Sequence, residues 1–480
     1  MAQQLIYFIT SAEKIPALPL EKKLFNQYDR IMKNYVNKIK KAVLLTGDIV
    51  VLWLSLGLTL TIRYGDIFNQ QIWRLHFWPF VFIYALWLVI FFIGGLYDLG
   101  SARNNWRFYN NLFKTLLGAG VIAAALFYLV PFFGITPKTN LVLNLTIFAI
   151  LFSLWRNLYN FWAKSSHLFN RVLIVGKTKE SEEIVQQVAR NPQLGYKIQK
   201  FVHLDDVKIV FDLIEVIVKN KINTIVVAVH LHKNPDLIKN LYNCLPLKIS
   251  LLDIPTFYER ITGKIPVSGI EEIWFLENLM NKQRDLYEAF KKVADLLIAL
   301  TAFLVSLPLY PLIALLIKIN SPGPIFYTQK RVGQDGKIFT IYKFRSMVVD
   351  AEKNGAVWAR KNDCRVTGVG RLLRSTRLDE IPQLLNVLRG DMAFVGPRPE
   401  RPEFAFNNNV LAKLPFYQIR HLIKPGLTGW AQIKFHYASS EKDTLEKLQY
   451  DLYYLKNRSF FLDMAIILRT IKILLIKEGR

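Results

Sequence analysis

The chain has 480 residues, which is too long for one ordinary domain, and 52% of them are hydrophobic. Its net charge of +25 suits anionic lipid, phosphorylated substrates or nucleic acid, but no nucleic-acid-binding motif occurs, so we expect lipid and phosphate partners and no nucleic acid. The two cysteines, Cys244 and Cys364, exclude a disulfide framework and show no zinc-binding spacing.

Four apolar runs follow the N-terminal segment, and they are about as long as membrane-spanning helices. They cover residues 42–62, 77–97, 115–134 and 141–162. The segment before them, 1–41, is rich in lysine and shows no cleavable signal pattern, so the positive-inside rule keeps it in the cytoplasm. We therefore predict four transmembrane helices within 42–165, after which the chain is again cytoplasmic.

Strand and helix patterns alternate from 166 to 284, which favours a small Rossmann-like α/β module in the cytoplasm. The predicted strands are RVLIVG at 171–176, INTIVVAVH at 222–230 and KISLLDIP at 248–255. A dinucleotide site needs three glycines after the first strand, and this turn has Gly176 alone. We favour a structural or regulatory role for the module over cofactor binding.

A fifth apolar run, from Leu296 to Ile317, carries no charge but contains Pro308 and Pro311. Proline in a helix interior removes a hydrogen bond and favours a break. Lysines lie on both flanks, so the positive-inside rule places both ends on one face of the membrane. We predict a re-entrant helix–break–helix over 285–320; a proline-kinked crossing is the alternative.

The remainder, 321–480, reads as a soluble domain with an amphipathic helix at 463–475 that lies on the membrane. Asp379 and Glu380 stand side by side in it, among arginines and before Pro382. Proline there suits the first turn of a helix, where the helix dipole favours ionised carboxylates. Ionised carboxylates can act as a nucleophile or hold Mg²⁺, and arginines bind phosphate oxygens, so the stretch predicts phosphoryl transfer.

Four motifs occur in order after the broken apolar helix. They are KFRSM at 343–347, DCRVTGVGRLLRSTRLDEIPQLLNVLRGDM at 363–392, VGPRP at 395–399 and KPGLTGWAQI at 424–433. This region closely resembles the bacterial sugar transferase family, the polyprenyl-phosphate hexose-1-phosphate transferases. The four spans and the Rossmann-like module resemble the architecture of its large, exopolysaccharide-initiating branch.

The resemblance implies an α/β membrane protein. Its parts would be a four-helix transmembrane bundle, a Rossmann-like module, and a monotopic catalytic domain with a re-entrant helix and amphipathic surface helices. Members transfer a hexose-1-phosphate from a UDP-sugar to undecaprenyl phosphate and release UMP. By the match of the acidic pair, Asp379 would be the nucleophile that forms an aspartyl phospho-sugar, and Glu380 would bind Mg²⁺.

The same resemblance implies which basic residues contact the substrate phosphates. They are Lys343, Arg345, Arg374, Arg398 and Arg401. The family's hairpin usually breaks at Ser-Pro, whereas here Leu307 precedes Pro308 and Ser306 stands one place earlier. A serine can hydrogen-bond a freed helix carbonyl, so we assign Ser306 and Pro308 to the hairpin break. We expect the bacterial inner membrane as location, glucose or galactose as the sugar, and a homodimer as one possible assembly.

Two other functions compete with this one. In a membrane-bound nucleotide-sugar dehydratase or epimerase, four spans can also precede a Rossmann domain. Such an enzyme needs the complete glycine fingerprint, which is absent here, and a Tyr-x-x-x-Lys pair, to which only Tyr196 and Lys200 correspond. A non-enzymatic scaffold for polysaccharide assembly would bind a UDP-sugar without releasing UMP. A transporter is disfavoured because the spans carry few charges and show no inverted repeat.

Overall fold

A computed structural model describes most of the chain. The described residues are 19–65, 70–97, 106–129, 138–163, 169–202, 213–227, 235–247, 249–280, 285–351, 363–406, 414–435 and 441–476. The N-terminal part of the predicted basic segment, residues 1–18, and the ends of some predicted strands lie outside these ranges.

Within the described residues, four unbroken helices are long and apolar enough to cross a membrane, as the sequence predicts. They are α1 (Pro19–Tyr64, apolar from Ala42), α2 (Gln70–Gly94), α3 (Trp106–Leu129) and α4 (Lys138–Ala163). Aromatic side chains fill the interior between them, with Trp87, Phe91 and Phe148 fully buried.

Several polar side chains inside the bundle contact one another. The Nδ2 atom of Asn144 donates to Ser55 Oγ and to Tyr84 Oη, each at 3.0 Å. In the C-terminal half of α4, Arg156 Nη2 lies 2.7 Å from Asp48 Oδ2 of α1, and both residues are buried. Such contacts fix how the helices pack, because an unpaired polar group in hydrocarbon is costly.

A parallel four-stranded sheet follows the bundle, in the order β2-β1-β3-β4. Its elements are β1 (Asn170–Val175), α5 (Lys179–Arg190), β2 (Tyr196–Val202), α6 (Leu213–Lys219), β3 (Thr224–Val227), α7 (Pro235–Asn243), β4 (Ser250–Asp253) and α8 (Ile254–Thr262). Separate apolar clusters cover its two faces. Three of the strands match the sequence prediction, and β2 was missed because its polar residues break the apolar pattern.

Strand β2 also bears on the dehydratase alternative. Tyr196 and Lys200 both lie on it, and Tyr196 is buried edge-on against Phe257. In an extended strand, residues four apart are separated by about 13 Å, which is too far for the two side chains to act together on one substrate atom. The observed location therefore argues against a Tyr-x-x-x-Lys active site.

The predicted broken helix is observed as two helices, α10 (Asp285–Ser306) and α11 (Leu309–Asn320), bent by 59° at the break. A short helix, α9 (Glu272–Phe275), precedes them. Ser306 is buried, and its hydroxyl donates to Phe303 O at 2.9 Å, which is the back-bonding expected of it. Leu307 and Pro308 form the break itself.

Both helices of this bent pair pack on the domain that follows. That domain comprises β5 (Phe326–Val332), β6 (Ile338–Phe344), α12 (Gly368–Thr376), a 3₁₀ turn (Leu378–Gln383), α13 (Leu384–Arg389), β7 (Ala393–Val395), α14 (Pro402–Ala405), β8 (Gly426–Thr428), α15 (Trp430–Lys434), α16 (Glu441–Asn457) and α17 (Phe460–Ile476). Ala299 of α10 packs with Leu384 and Met392, whereas Ile313 and Ile317 of α11 pack with other residues of the same domain.

The three parts of the chain are joined by specific contacts. Lys456 Nζ donates to Glu259 Oε2 at 2.7 Å, which links α16 to the parallel-sheet module. Lys472 Nζ donates to Gly94 O at 3.0 Å, which links α17 to the end of α2. Since α17 contacts that end of α2, the C-terminal domain lies at the end of the bundle to which the sequence prediction assigns the cytoplasm.

Candidate active site

The acidic pair lies where one helix ends and the next begins. Thr367 caps the start of helix α12, and its hydroxyl accepts from Gly370 N at 2.9 Å. Arg377 caps the end of the helix and adopts a left-handed conformation with φ 56°. Asp379 and Glu380 lie at the start of the 3₁₀ turn that follows. The sequence prediction of a helix start is thus confirmed, and the turn lets two adjacent carboxylates serve one site.

Strand β6 runs beside this turn and is fixed against it by Asn386. That side chain is fully buried on α13, donates to Thr340 O at 2.7 Å and accepts from Tyr342 N at 3.3 Å. The next residue of the strand, Lys343, is thereby brought to the acidic pair.

Glu380 is clamped by two cations. Its Oε1 atom accepts from Lys343 Nζ at 2.8 Å and from Arg398 Nη2 at 2.8 Å. Arg377 Nη1 lies 3.7 Å from Oε2. Asp379, beside it, is 4% exposed. Two of the predicted phosphate-binding residues therefore contact the predicted metal ligand directly.

The clamp determines the ionisation of the site. Burial by itself would raise the pKa of Glu380, but Arg398 and Lys343 hold it well below its usual range. Burial lowers the pKa of Lys343, and the carboxylate of Glu380 opposes that change. Glu380 is therefore a carboxylate at neutral pH.

The other predicted phosphate contacts lie in different surroundings. Arg374, on α12, is half-buried, and its side chain forms no hydrogen bond or close ion pair with the residues that the structure describes. Its charge still acts on Asp363, whose pKa is lowered mainly by the hydrogen bond from Arg365 and also by Arg374. The guanidinium of Arg401 lies 5.8 Å from the ring centroid of Phe404.

Arg345, another predicted phosphate contact, also has partners within the protein. It is buried, with its guanidinium donating to Ser321 O at 2.6 Å and to Pro322 O at 2.8 Å. These carbonyls belong to the chain that leaves the bent helix pair. Arg345 therefore holds that segment with two of its five guanidinium N–H donors.

The donor set bears on the expected Mg²⁺. Among the described residues, no group of three or more His, Cys, Asp or Glu side chains can hold a metal. Mg²⁺ at phosphate-transfer sites characteristically uses one or two carboxylates and takes its other ligands from phosphate and water. Asp379 and Glu380 fit that pattern, with Glu380 Oε2 less engaged than Oε1.

Sequence reasoning missed residues that surround Arg398. Arg420 donates to Arg398 O and Arg331 to Pro399 O, while Asp451 pairs with Arg420. All three are distant from Arg398 in sequence, and nothing in the sequence around them indicated a role. Arg377 had a signal, because it lies in the same arginine-rich stretch two residues before the pair.

The buried acidic pair and the cations around it, next to a bundle of membrane-length helices, are suited to a transferase that acts on phosphorylated groups at a membrane. A family model described as bacterial sugar transferase matches residues 286–477. The UDP-glucose:undecaprenyl-phosphate glucose-1-phosphate transferase of Klebsiella pneumoniae is 30% identical over 449 residues, 88% of this chain and 93% of that protein. The Escherichia coli K12 protein of the same name is 31% identical over 327 residues, 65% of this chain and 69% of that protein.

A third relative matches half of this chain. The UDP-N-acetylgalactosamine-undecaprenyl-phosphate N-acetylgalactosaminephosphotransferase of Aeromonas hydrophila is 40% identical over 239 residues, which is 50% of this chain and 55% of that protein. The matches along most of the Klebsiella and Escherichia proteins show that the chain belongs to the bacterial sugar transferase family, the polyprenyl-phosphate hexose-1-phosphate transferases.

Proposed function

We propose that the protein transfers a hexose-1-phosphate from a UDP-sugar to undecaprenyl phosphate and releases UMP, as the first membrane step of an exopolysaccharide, capsule or O-antigen. The observation that carries the proposal is the buried acidic pair in which Lys343 and Arg398 hold Glu380 ionised. The relatives named for this reaction support it.

The reaction would proceed by two displacements. A carboxylate oxygen of Asp379 attacks the sugar-linked phosphorus, a P–O bond forms, and the bond to the UMP oxygen breaks. A phosphate oxygen of undecaprenyl phosphate then attacks the same phosphorus and releases the carboxylate of Asp379. No proton has to move, because the nucleophiles and the leaving groups are anions.

The charged residues around the pair would stabilise the phosphate oxygens. Arg374 would contact the phosphate oxygens through its guanidinium, and Arg398 and Lys343 neutralise the local negative charge. Glu380 would hold Mg²⁺, which when bound supplies a Lewis acid for the phosphate oxygens, and Asp379 remains the nucleophile.

We place the bent helix pair in the membrane as a re-entrant hairpin. Both of its helices pack on one domain, so a straight crossing would have to draw that domain into the bilayer. A re-entrant hairpin holds the acidic pair at headgroup depth on the cytoplasmic face of the inner membrane, where a soluble UDP-sugar meets a lipid phosphate.

The test is UMP release by the detergent-solubilised protein with Mg²⁺ and undecaprenyl phosphate. The donors are UDP-glucose, UDP-galactose and UDP-N-acetylgalactosamine, since the relatives are named for glucose and for N-acetylgalactosamine. We expect UMP from one donor, no UMP from Asp379→Asn, and normal release from Asp335→Asn, which makes the same change in an exposed turn.

A second assay tests the covalent intermediate. Without acceptor, radiolabelled UMP should exchange into the UDP-sugar, because the first displacement is reversible on its own. Absence of exchange in a protein that turns over with acceptor would point to direct transfer. Folded protein that binds a UDP-sugar but yields no UMP would favour the scaffold.

A further inference from the structure

The loop that carries Arg398 is held by its backbone carbonyls. Pro397 and Pro399 have no N–H to donate, so the loop relies on its carbonyls for hydrogen bonds. Three successive carbonyls each accept from a different donor: Arg398 O from Arg420 Nη2 at 2.9 Å, Pro399 O from Arg331 Nη1 at 3.1 Å, and Glu400 O from Val332 N at 2.9 Å. The loop is therefore fixed without belonging to a sheet.

Of these three donors, Arg420 is the one that bonds the backbone carbonyl of Arg398. Arg420 also lies in a buried ionic cluster. It is 3% exposed, its Nη2 atom lies 2.8 Å from Asp451 Oδ2, and its Nη1 atom donates to Tyr417 Oη at 2.8 Å. Glu400 Oε1 lies 3.9 Å from Nη1. Asp451 contacts the same nitrogen, Nη2, that donates to Arg398 O, so this ion pair holds the donating nitrogen in place, whereas Tyr417 contacts the other nitrogen, Nη1.

We propose that Arg420 is a positioning residue, which sets the place of Arg398 and through it the clamp on Glu380. The inference rests on the proposed function. Arg398 Nη2 reaches Glu380 Oε1 at 2.8 Å, so a shift of the Arg398 backbone moves that nitrogen off the carboxylate. Arg420 touches neither carboxylate of the pair, and its effect on the reaction passes through Arg398.

Arg420→Lys tests this role. Lysine keeps the charge but has a single nitrogen, which cannot reach Asp451, Tyr417 and the Arg398 carbonyl in the arginine geometry. Displacements of about 1 Å in an active site can cost about 100-fold in rate, so we expect kcat to fall roughly 10- to 100-fold while KM for the UDP-sugar changes less.

A double-mutant cycle separates positioning from general stability. The rate of radiolabelled UMP exchange is measured in Arg398→Ala with and without Arg420→Lys. We expect Arg420→Lys to lower this rate by less than about 3-fold, because the Arg398 side chain through which it acts has been removed. Tyr417→Phe is the matched control, because it removes a contact of Arg420 and keeps the bond to Arg398 O. We expect that variant to have a lower Tm and a normal rate.

The outcomes are distinct. The proposal is overturned if the rate loss in the double variant equals the product of the losses in Arg420→Lys and Arg398→Ala. A normal rate for Arg420→Lys also overturns it. A rate loss in Tyr417→Phe as large as in Arg420→Lys also overturns it, because stability alone would then explain both. If Arg420→Lys does not fold, Asp451→Asn takes its place in the same cycle with the same criteria. Wild-type protein that releases no UMP contradicts the proposed function instead.

Discussion

At the scale of single residues, the site depends on charge balance around one carboxylate. Glu380 is buried, which disfavours its charge, yet it receives two short contacts from cations on one oxygen. Lys343 comes from strand β6 and Arg398 from a proline-bounded loop, so neither cation is fixed by the sequence next to the pair.

Removing Lys343 should change the pH dependence of the reaction. In Lys343→Met, Glu380 loses one of the cations that lower its pKa, so the pKa rises and protonation begins at a higher pH. We expect the acid limb of kcat/KM against pH to move to higher pH, and kcat at neutral pH to fall about 100-fold.

The control for that prediction is Lys343→Arg, which keeps a positive charge beside Glu380. Its acid limb should stay close to that of the wild type. An acid limb in Lys343→Met that coincides with the wild type would show that the ionisation of Glu380 does not limit the reaction.

At the scale of elements, the bent helix pair can be a re-entrant hairpin or a kinked crossing of the membrane, and labelling its two ends distinguishes these topologies. Lys292 precedes the apolar stretch and Lys318 follows it, and both are exposed. In a chain with Cys244 and Cys364 changed to serine, we expect Lys292→Cys and Lys318→Cys to react with an impermeant maleimide only from the cytoplasmic face. Labelling of residue 318 from the opposite face would indicate a crossing.

The transmembrane bundle has its own test. Arg156→Met leaves the buried carboxylate of Asp48 without its 2.7 Å partner, and breaking a buried ion pair costs about 3–5 kcal/mol. We expect a clearly lower Tm in detergent, measured by tryptophan fluorescence. The double variant Asp48→Leu with Arg156→Met should recover much of the loss; equal Tm values for single and double variants would contradict this account.

At the scale of the whole molecule, the connection before the bent pair belongs to the catalytic core. Ile265, Val267, Ile270, Trp274 and Phe275 are buried in one cluster with residues of β5, β7, α16 and α17. The sequence-based boundary at 284 assigns them to the parallel-sheet module, whereas their packing is with the catalytic domain.

Two fragments test this packing. Burying one large apolar side chain contributes about 1.5–3 kcal/mol, so a fragment 285–480 that lacks this connection should be less stable than 264–480. We expect a lower Tm and more aggregation in detergent for the shorter fragment. Equal Tm values would show that the connection packs on the domain without stabilising it.

The sequence by itself determined the features that are written locally along the chain. Apolar runs of membrane length predicted α1 to α4, prolines predicted the break at 307–308, and the Asp-Glu pair among arginines predicted the site. These signals are readable because helix periodicity, proline sterics and adjacent charges act over a few residues.

Only the tertiary structure decided which cations serve the pair and what holds them. Lys343 and Glu380 are 37 residues apart, and Arg420 donates to a carbonyl 22 residues away. It also showed that Arg345 donates to the chain that leaves the bent helix pair and that β2 joins the sheet despite its polar residues. The physical reason is that such contacts arise from the packing of separate elements, whose relative positions depend on the whole chain and leave no local pattern.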